Sequence, residues 1–224
     1  MAKLIVIEGI DGVGKGTQSK LLLERIAASG ARTRLISFPV YDSHFGRMIG
    51  EYLNGVYGTL ETVHPKLAAL LYAMDRVQCL EQLELADYDA LVIDRYVPSN
   101  LAHQTAKLPG GERAELTDWI LELEYGTLGL PTPELVVVLD ADAELAARQV
   151  LKKDARAYTE LEQDLHESDQ TYLRQVRQVY GQLARERAEF RLVQCDRDGQ
   201  MRSIEDIHEE IWRLVAEVLP EAAE

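Results

Sequence analysis

Cysteine is scarce: only Cys79 and Cys195 occur in 224 residues. Two cysteines cannot build a disulfide framework and their spacing fits no metal-ligand pattern, so both read as buried thiols of a reducing compartment. Positive charge is also short. Lys and Arg number 24 against 38 Asp and Glu, a formal net charge of −14, which argues against a nucleic-acid groove with its clustered cations. Any phosphate site must therefore gather its cations locally. No apolar run approaches the ~20 residues of a membrane span, and an apolar strand begins almost at Met1 with no leader pattern before it. The expectation is a soluble cytoplasmic protein with no membrane or nucleic-acid partner. Repeats, low-complexity segments and linkers are missing too, so residues 1–224 read as a single domain, 46% hydrophobic and long enough for one well-buried core.

What the chain does have is Gly9-Ile10-Asp11-Gly12-Val13-Gly14-Lys15-Gly16-Thr17 between the apolar run Leu4–Ile7 and a helical pattern. Strand, glycine loop and helix in that order let backbone N–H groups converge on a phosphate, with the positive helix end behind them and Lys15 reaching the β- and γ-phosphates. This is a P-loop for a nucleoside triphosphate. The strict pattern wants Ser or Thr directly after the lysine; here Gly16 stands there and the hydroxyl comes one place later, on Thr17. That variant resembles the adenylate kinases more than the GTPases.

Apolar runs alternate with amphipathic segments along the rest of the chain, the order of a parallel sheet covered by helices. The pattern predicts helices over about 15–29, 44–53, 64–86, 143–153, 165–189 and 204–219, with two more between Pro98 and Tyr125. Strands are predicted at 33–37, 90–94, 135–139 and 190–193. In an open α/β sheet the ligand crevice lies at the carboxyl ends of the strands. Strand two ends at Phe38-Pro39-Val40-Tyr41 and strand three at Asp94-Arg95-Tyr96. Asp94 ends its apolar run as a Walker-B-like carboxylate able to hold Mg²⁺ directly or through water. Arg95 beside it suits a second phosphate, and two phosphate sites imply phosphoryl transfer between them; a plain surface ion pair is the alternative.

Glu8-Gly9-Ile10-Asp11-Gly12, Phe38-Pro39, Tyr52-Leu53-Asn54-Gly55, Leu71-Tyr72-Ala73-Met74-Asp75-Arg76, Asp94-Arg95-Tyr96 with Ser99-Asn100, and Asp164-Leu165-His166-Glu167 occur in this order. In that order and spacing the chain resembles the thymidylate (dTMP) kinases of the P-loop nucleoside monophosphate kinases over essentially its whole length. The resemblance implies a three-layer α/β sandwich with a five-stranded parallel sheet flanked by helices and a short lid at about 152–163. It implies ATP and Mg²⁺ as cofactors, dTMP as acceptor and a homodimer. The loop residues Gly9, Gly12, Val13, Gly14, Lys15, Gly16 and Thr17 would bind ATP, and Thr17 and Asp94 the metal.

Tyr72 and Arg76 lie four apart, on one helix face, where a ring can stack on a flat base and a guanidinium can bond its carbonyl edge. In similar kinases these positions hold thymine, and Asn100 offers a donor and an acceptor to the base edge. Read without the family, Tyr72 fits an ordinary core and Ser99 and Asn100 fit a helix cap equally well. The resemblance further assigns Phe38 to a wall of the site, Arg95 to the acceptor 5′-phosphate, and Asp11 to the sugar 3′-hydroxyl and metal region. His103 stands where some relatives carry a tyrosine associated with excluding a 2′-hydroxyl. Val40 replaces an arginine common after Phe-Pro, and Gly12 leaves the catalytic cation to the lid, where Lys152, Lys153 and Arg156 are basic in an otherwise acidic chain. The alternatives are a kinase for another pyrimidine monophosphate or a deoxynucleoside, or a non-catalytic nucleotide-binding regulator; no Asn-Lys-x-Asp guanine-reading sequence supports the last.

Overall fold

The fold is that of a computed structural model, which describes residues 2–60, 62–150 and 170–219. Leu4–Ile7 has no polar alternation because β1 (Lys3–Glu8) is the central strand of its sheet, covered on both faces. It pairs in parallel with β3 (Ala90–Asp94) on one side and β4 (Leu135–Asp140) on the other. With β2 (Thr33–Ser37) and β5 (Phe190–Gln194) outside them, the strand order is β2-β3-β1-β4-β5, all parallel. This is the five-stranded sheet the alternating pattern predicts.

Helix α1 (Lys15–Ala28) packs with α8 (Ile204–Ala216) in one layer, where Gln18 Nε2 donates to the Ile204 carbonyl at 3.0 Å. In the other layer α4 (Val97–Thr105) lies among α3 (Pro65–Leu80), α5 (Arg113–Leu121) and α7 (Gln170–Glu186). Helix α2 (His44–Leu53) packs on α3, and α6 (Ala143–Val150) follows β4. Pro65 at the first turn of α3 and Ser43 capping α2, its Oγ accepting from Gly46 N at 2.7 Å, start these helices where the sequence predicts.

The elements depart from the expected ones at three places. Helix α3 stops at Leu80 rather than near Ala86, and Leu83 and Leu85 reach the core from a turn and a short 3₁₀ segment instead of from a helix face. Helix α5 runs on into a π-helical turn, Glu122–Thr127. A two-residue antiparallel ribbon, β6 (Asp196–Arg197) with β7 (Gln200–Met201), fills the loop before α8. The expected segment 152–163, and the start of the expected helix at 165, lie outside the described residues.

Candidate active site

The carboxyl ends of β1, β2 and β3 open on a cavity of about 380 Å³. Its two ends are chemically different. Gly12, Gly14, Lys15 and Gly16 line one, and Phe38, Tyr72, Arg76, Asn100 and Gln104 line the other, with Asp11, Arg95 and His103 also on the wall. The loop after β1 and the elements after β2 and β3 meet here because the parallel sheet brings three strand ends side by side, Ile7 opposite Asp94 and Ser37 opposite Asp94.

At the loop end, Lys15 Nζ donates to the Ile10 carbonyl at 2.9 Å and stands 3.5 Å from Asp11 Oδ1. Burial, then the nearby Arg95, lowers its pKa from the ordinary lysine value. Gly12 has φ +90, and a Cβ there would meet the Ala146 carbonyl oxygen at 1.9 Å, so the approach of α6 excludes any side chain at this position. Gly16 differs. A Cβ on it would lie 3.4 Å from Asp94 Oδ2, so the glycine leaves that face of the carboxylate open toward the loop. Gly9 and Val13 shape the loop without lining the cavity, and Val13 is buried in the core. Thr17 is exposed and off the cavity wall.

Arg95 follows β3 in a left-handed conformation, φ +68, which an arginine adopts only where its surroundings hold it. Its Nη2 donates to Asp11 Oδ1 at 2.5 Å, so this one oxygen serves both Arg95 and Lys15. Burial works against the guanidinium charge, but Asp11, with Tyr180, Glu8 and Asp94 behind it, outweighs burial and holds the Arg95 pKa well above its ordinary value. Arg95 Nη1 lies 3.4 Å from Ser99 Oγ and 3.3 Å from His103 Nε2. The Tyr172 hydroxyl donates to the His103 carbonyl at 3.0 Å, so the His103 Nδ1 found 3.1 Å from the same hydroxyl oxygen is the proton carrier. Nε2 is then the acceptor for Arg95. Burial, then Arg95, lowers the His103 pKa well below the usual imidazole value, which keeps that ring neutral.

Helix α4 is held by a carboxylate from another element. Glu8, fully buried at the end of β1, accepts from the backbone N–H of Tyr96 (2.8 Å) and of Ser99 (3.0 Å), and from the hydroxyls of Ser99 (2.6 Å) and Tyr180 (2.7 Å). It supports the start of α4 rather than the loop of its own strand. Burial raises its pKa, with Ser99 and Arg95 opposing. Ser99 and Asn100 therefore need not cap their own helix.

At the other end, Arg76 and Glu124 form a buried bidentate pair, Nε to Oε2 at 2.6 Å and Nη2 to Oε1 at 2.7 Å, with the two side chains 2% and 0% exposed. Burial disfavours the charge on Arg76, yet Glu124 raises its pKa above the ordinary value. Asn100 Nδ2 donates to the same Glu124 Oε1 at 2.7 Å and to the Ala69 carbonyl at 2.9 Å. Its Oδ1 is buried with no hydrogen-bond partner among the described residues, as is Gln104 Nε2 one turn further along α4. Tyr72 is half-buried and meets Tyr52 edge-on at 6.4 Å, so it is a wall of the cavity rather than closed core. Phe38 is both, buried at the strand end and on the cavity wall. The Phe38–Pro39 peptide is cis. Asp75, from the same helical motif, accepts from Val40 N at 2.9 Å and Ser43 Oγ at 2.7 Å and fixes the chain after β2.

The structure thus brings Asp11, Lys15, Phe38, Tyr72, Arg76, Asp94, Arg95, Ser99, Asn100 and His103 to one cavity. Lys152, Lys153 and Arg156 lie outside the described residues. Sequence reasoning missed Gln104 and Glu124. Gln104 was visible as the next-turn neighbour of Asn100, four residues on; Glu124 had no such signal.

Residues 7–211 match the family model described as thymidylate kinase. The chain is similar to a thymidylate kinase of Mycobacterium tuberculosis, 32% identical over 184 residues, which covers 81% of this chain and 85% of that one. A probable thymidylate kinase of Pyrococcus abyssi is 31% identical over 218 residues, 94% of each chain. Among solved structures, a thymidylate kinase from Candida albicans matches with TM-score 0.70 at 22% identity, covering 96% of this chain and 92% of the other, a likeness of fold.

Proposed function

The chain belongs to the thymidylate kinase family, and we propose that it transfers the γ-phosphoryl group of ATP to the 5′-phosphate of dTMP, forming dTDP and ADP. The observation that carries this reading is the convergence of Lys15 and Arg95 on one oxygen of Asp11, at 3.5 and 2.5 Å, between a phosphate loop and a base-sized recess. Two cations so close suit two phosphates that must meet.

A kinase needs little covalent chemistry from its protein; it must align acceptor oxygen and γ-phosphorus, offset charge and exclude water. Lys15 and the loop amides hold the donor phosphates. Arg95 grips the acceptor phosphate with its planar fork, and the neutral His103 Nε2 accepts from it and fixes its direction. The base lies between Phe38 and Tyr72. Asn100 Oδ1 accepts from the ring N–H, while Arg76 Nη1, which takes no part in the bonds to Glu124, and Gln104 Nε2 donate to carbonyls.

The residues present fit Mg²⁺: Asp94 offers an oxygen toward the loop across Gly16, and no cluster of three His, Cys, Asp or Glu among the described residues provides a protein-only cage. That matches a hard cation bound mainly by phosphate oxygens and one carboxylate. When bound, it neutralises charge on the β- and γ-phosphates. Thr17 is exposed and off the cavity wall, which leaves Asp94 as the better supported metal residue. Lys152, Lys153 and Arg156 are the remaining cations for the moving phosphoryl group, in a lid at 152–163 of a single-domain enzyme.

The acceptor arrangement also supports monophosphates over nucleosides, since a nucleoside kinase has no use for Arg95. A homodimer is supported by Val56, Tyr57, Leu67 and Leu70, large apolar side chains exposed after α2 and along α3, Leu67 at 64%. None of the described helices is long and apolar enough to cross a membrane. A coupled assay of ADP release with ATP and Mg²⁺ tests the function: ADP should appear on addition of dTMP and not of thymidine.

A further inference from the structure

We propose that Glu124 decides which pyrimidine this site accepts, by locking the amide of Asn100 with its oxygen toward the cavity. The inference rests on the dTMP reading above and adds the cause of its base preference.

An asparagine amide can present either a donor or an acceptor, and the two ends are nearly equal in shape. Here the choice is forced. The two protons of Asn100 Nδ2 go to the Ala69 carbonyl and Glu124 Oε1, both of which can only accept. Turning the amide over would set Oδ1 against two acceptor oxygens in a buried place, lone pairs facing lone pairs, and take one donor from each. Nor can Glu124 rotate to relieve this, because Arg76 holds its two oxygens through Nε and Nη2 at 2.6 and 2.7 Å. Asn100 is 2% exposed, lines the cavity, and its Oδ1 has no hydrogen-bond partner among the described residues. An acceptor therefore points at the ligand.

That acceptor fits a ring N–H, as in thymine and uracil, and opposes the ring nitrogen lone pair of cytosine. The same carboxylate orients Arg76, so one charge sets both groups that read the base edge. Glu124 touches no substrate in this account; it is a positioning residue. Its placement comes from the π-helical turn Glu122–Thr127, whose wider winding sits where α5 ends, and from the bond of Leu130 N to the Glu124 carbonyl at 2.9 Å.

Glu124→Gln tests this directly. The glutamine amide can donate to Asn100 Oδ1, which allows the asparagine to turn and offer Nδ2 to the base. The readout is the ratio of inhibition constants of dCMP and dUMP against dTMP turnover, two ligands with the same sugar and phosphate that differ at the base edge. A ratio taken within one preparation is insensitive to how much of the protein is active. It should fall about tenfold or more in Glu124→Gln, the scale of one misdirected buried hydrogen bond. Glu124→Asp keeps the charge beside Arg76 but withdraws the carboxylate from Asn100 by one methylene, and should give a smaller fall; it carries the test if the glutamine variant does not fold. An unchanged ratio in either folded variant overturns the proposal. Failure of the wild type to phosphorylate dTMP would instead overturn the functional reading, a distinct result.

Discussion

Arg95 Nη2 lies 2.5 Å from Asp11 Oδ1, and Lys15 Nζ stands 3.5 Å from that same oxygen. Lys15 and Arg95, 80 positions apart in the chain, thus share one carboxylate at the junction of β1 and β3. The acceptor-side cation and the donor-side cation are brought together by sheet topology, with Asp11 offsetting their repulsion.

Arg95→Ala should raise the KM for dTMP by about 10- to 100-fold, the loss of a charge-assisted hydrogen bond worth ~1.5–3 kcal/mol. KM for ATP should change little. Arg95→Lys should recover only part of the loss, since an ammonium cannot form the fork to phosphate. Steady-state kinetics with each substrate varied separately checks this, and equal effects on both KM values would remove Arg95 from the acceptor side.

Arg76→Ala should cost both affinity and stability. It leaves Glu124 a buried charge without its partner, a change of about 3–5 kcal/mol in comparable cases. Arg76→Met combined with Glu124→Leu should restore most of the stability while dTMP affinity stays low. Thermal melts and dTMP titrations of the single and double variants separate the two effects; a double variant as unstable as Arg76→Ala would contradict the pairing.

Lys107 donates to the Tyr52 hydroxyl and to Gln104 Oε1, each at 2.7 Å, and burial lowers its pKa to about 7. The unfolded lysine titrates near 10.4, so between about pH 7 and 10 the unfolded chain binds more protons than the folded one. Stability from this group therefore rises with pH across that window. Lys107→Met should remove the rise. Urea unfolding at pH 7 and pH 9.5 for both proteins measures it, and parallel curves would place Lys107 outside the titrating set.

Leu67→Glu with Leu70→Glu should convert a dimer to a monomer by sedimentation velocity, with the melting temperature of the monomer fold little changed. A wild-type monomer at micromolar concentration would overturn the dimer reading.

Arg156→Ala should lower kcat by as much as ~10³-fold with dTMP binding nearly intact, because a cation on the moving phosphoryl group acts chiefly in the transition state. Single-turnover kinetics of Arg156→Ala and of Lys152→Ala with Lys153→Ala decide among the three. Wild-type rates in both would place the catalytic cation elsewhere.

Much of this site is legible in the chain because its signals are local. A strand, a glycine loop and Lys15 are contiguous; Asp94 and Arg95 follow an apolar run; Tyr72 and Arg76 are one helical turn apart. Glu124 is not legible, since Leu121-Glu122-Leu123-Glu124 reads as a solvated helix face and its partner lies 48 residues away. The role of Gly12 is hidden in the same way: the approach of Ala146 from α6 fixes it, and the loop sequence carries no trace of that neighbour. Helix α3 ends early, yet Leu83 and Leu85 beyond it still pack against the core, so the apolar pattern reads on past the true helix end. Local pattern specifies the elements and the loop; the partners that buried charges find across the fold are tertiary facts.

The most direct measurement is a one-pot competition in which purified protein, ATP and Mg²⁺ meet equimolar dTMP, dUMP, UMP, dCMP, GMP and AMP, the AMP carrying a heavy-isotope label that separates its ADP from the ADP released by ATP, with the diphosphates quantified by mass spectrometry at early times. Product ratios then report relative kcat/KM without reference to active-site concentration. The dominant product should be dTDP, with dUDP next and dCDP well below both. Equal or faster formation of dCDP, ADP from AMP, or GDP would contradict the assignment of Phe38, Tyr72, Arg76 and Asn100 as a thymine site.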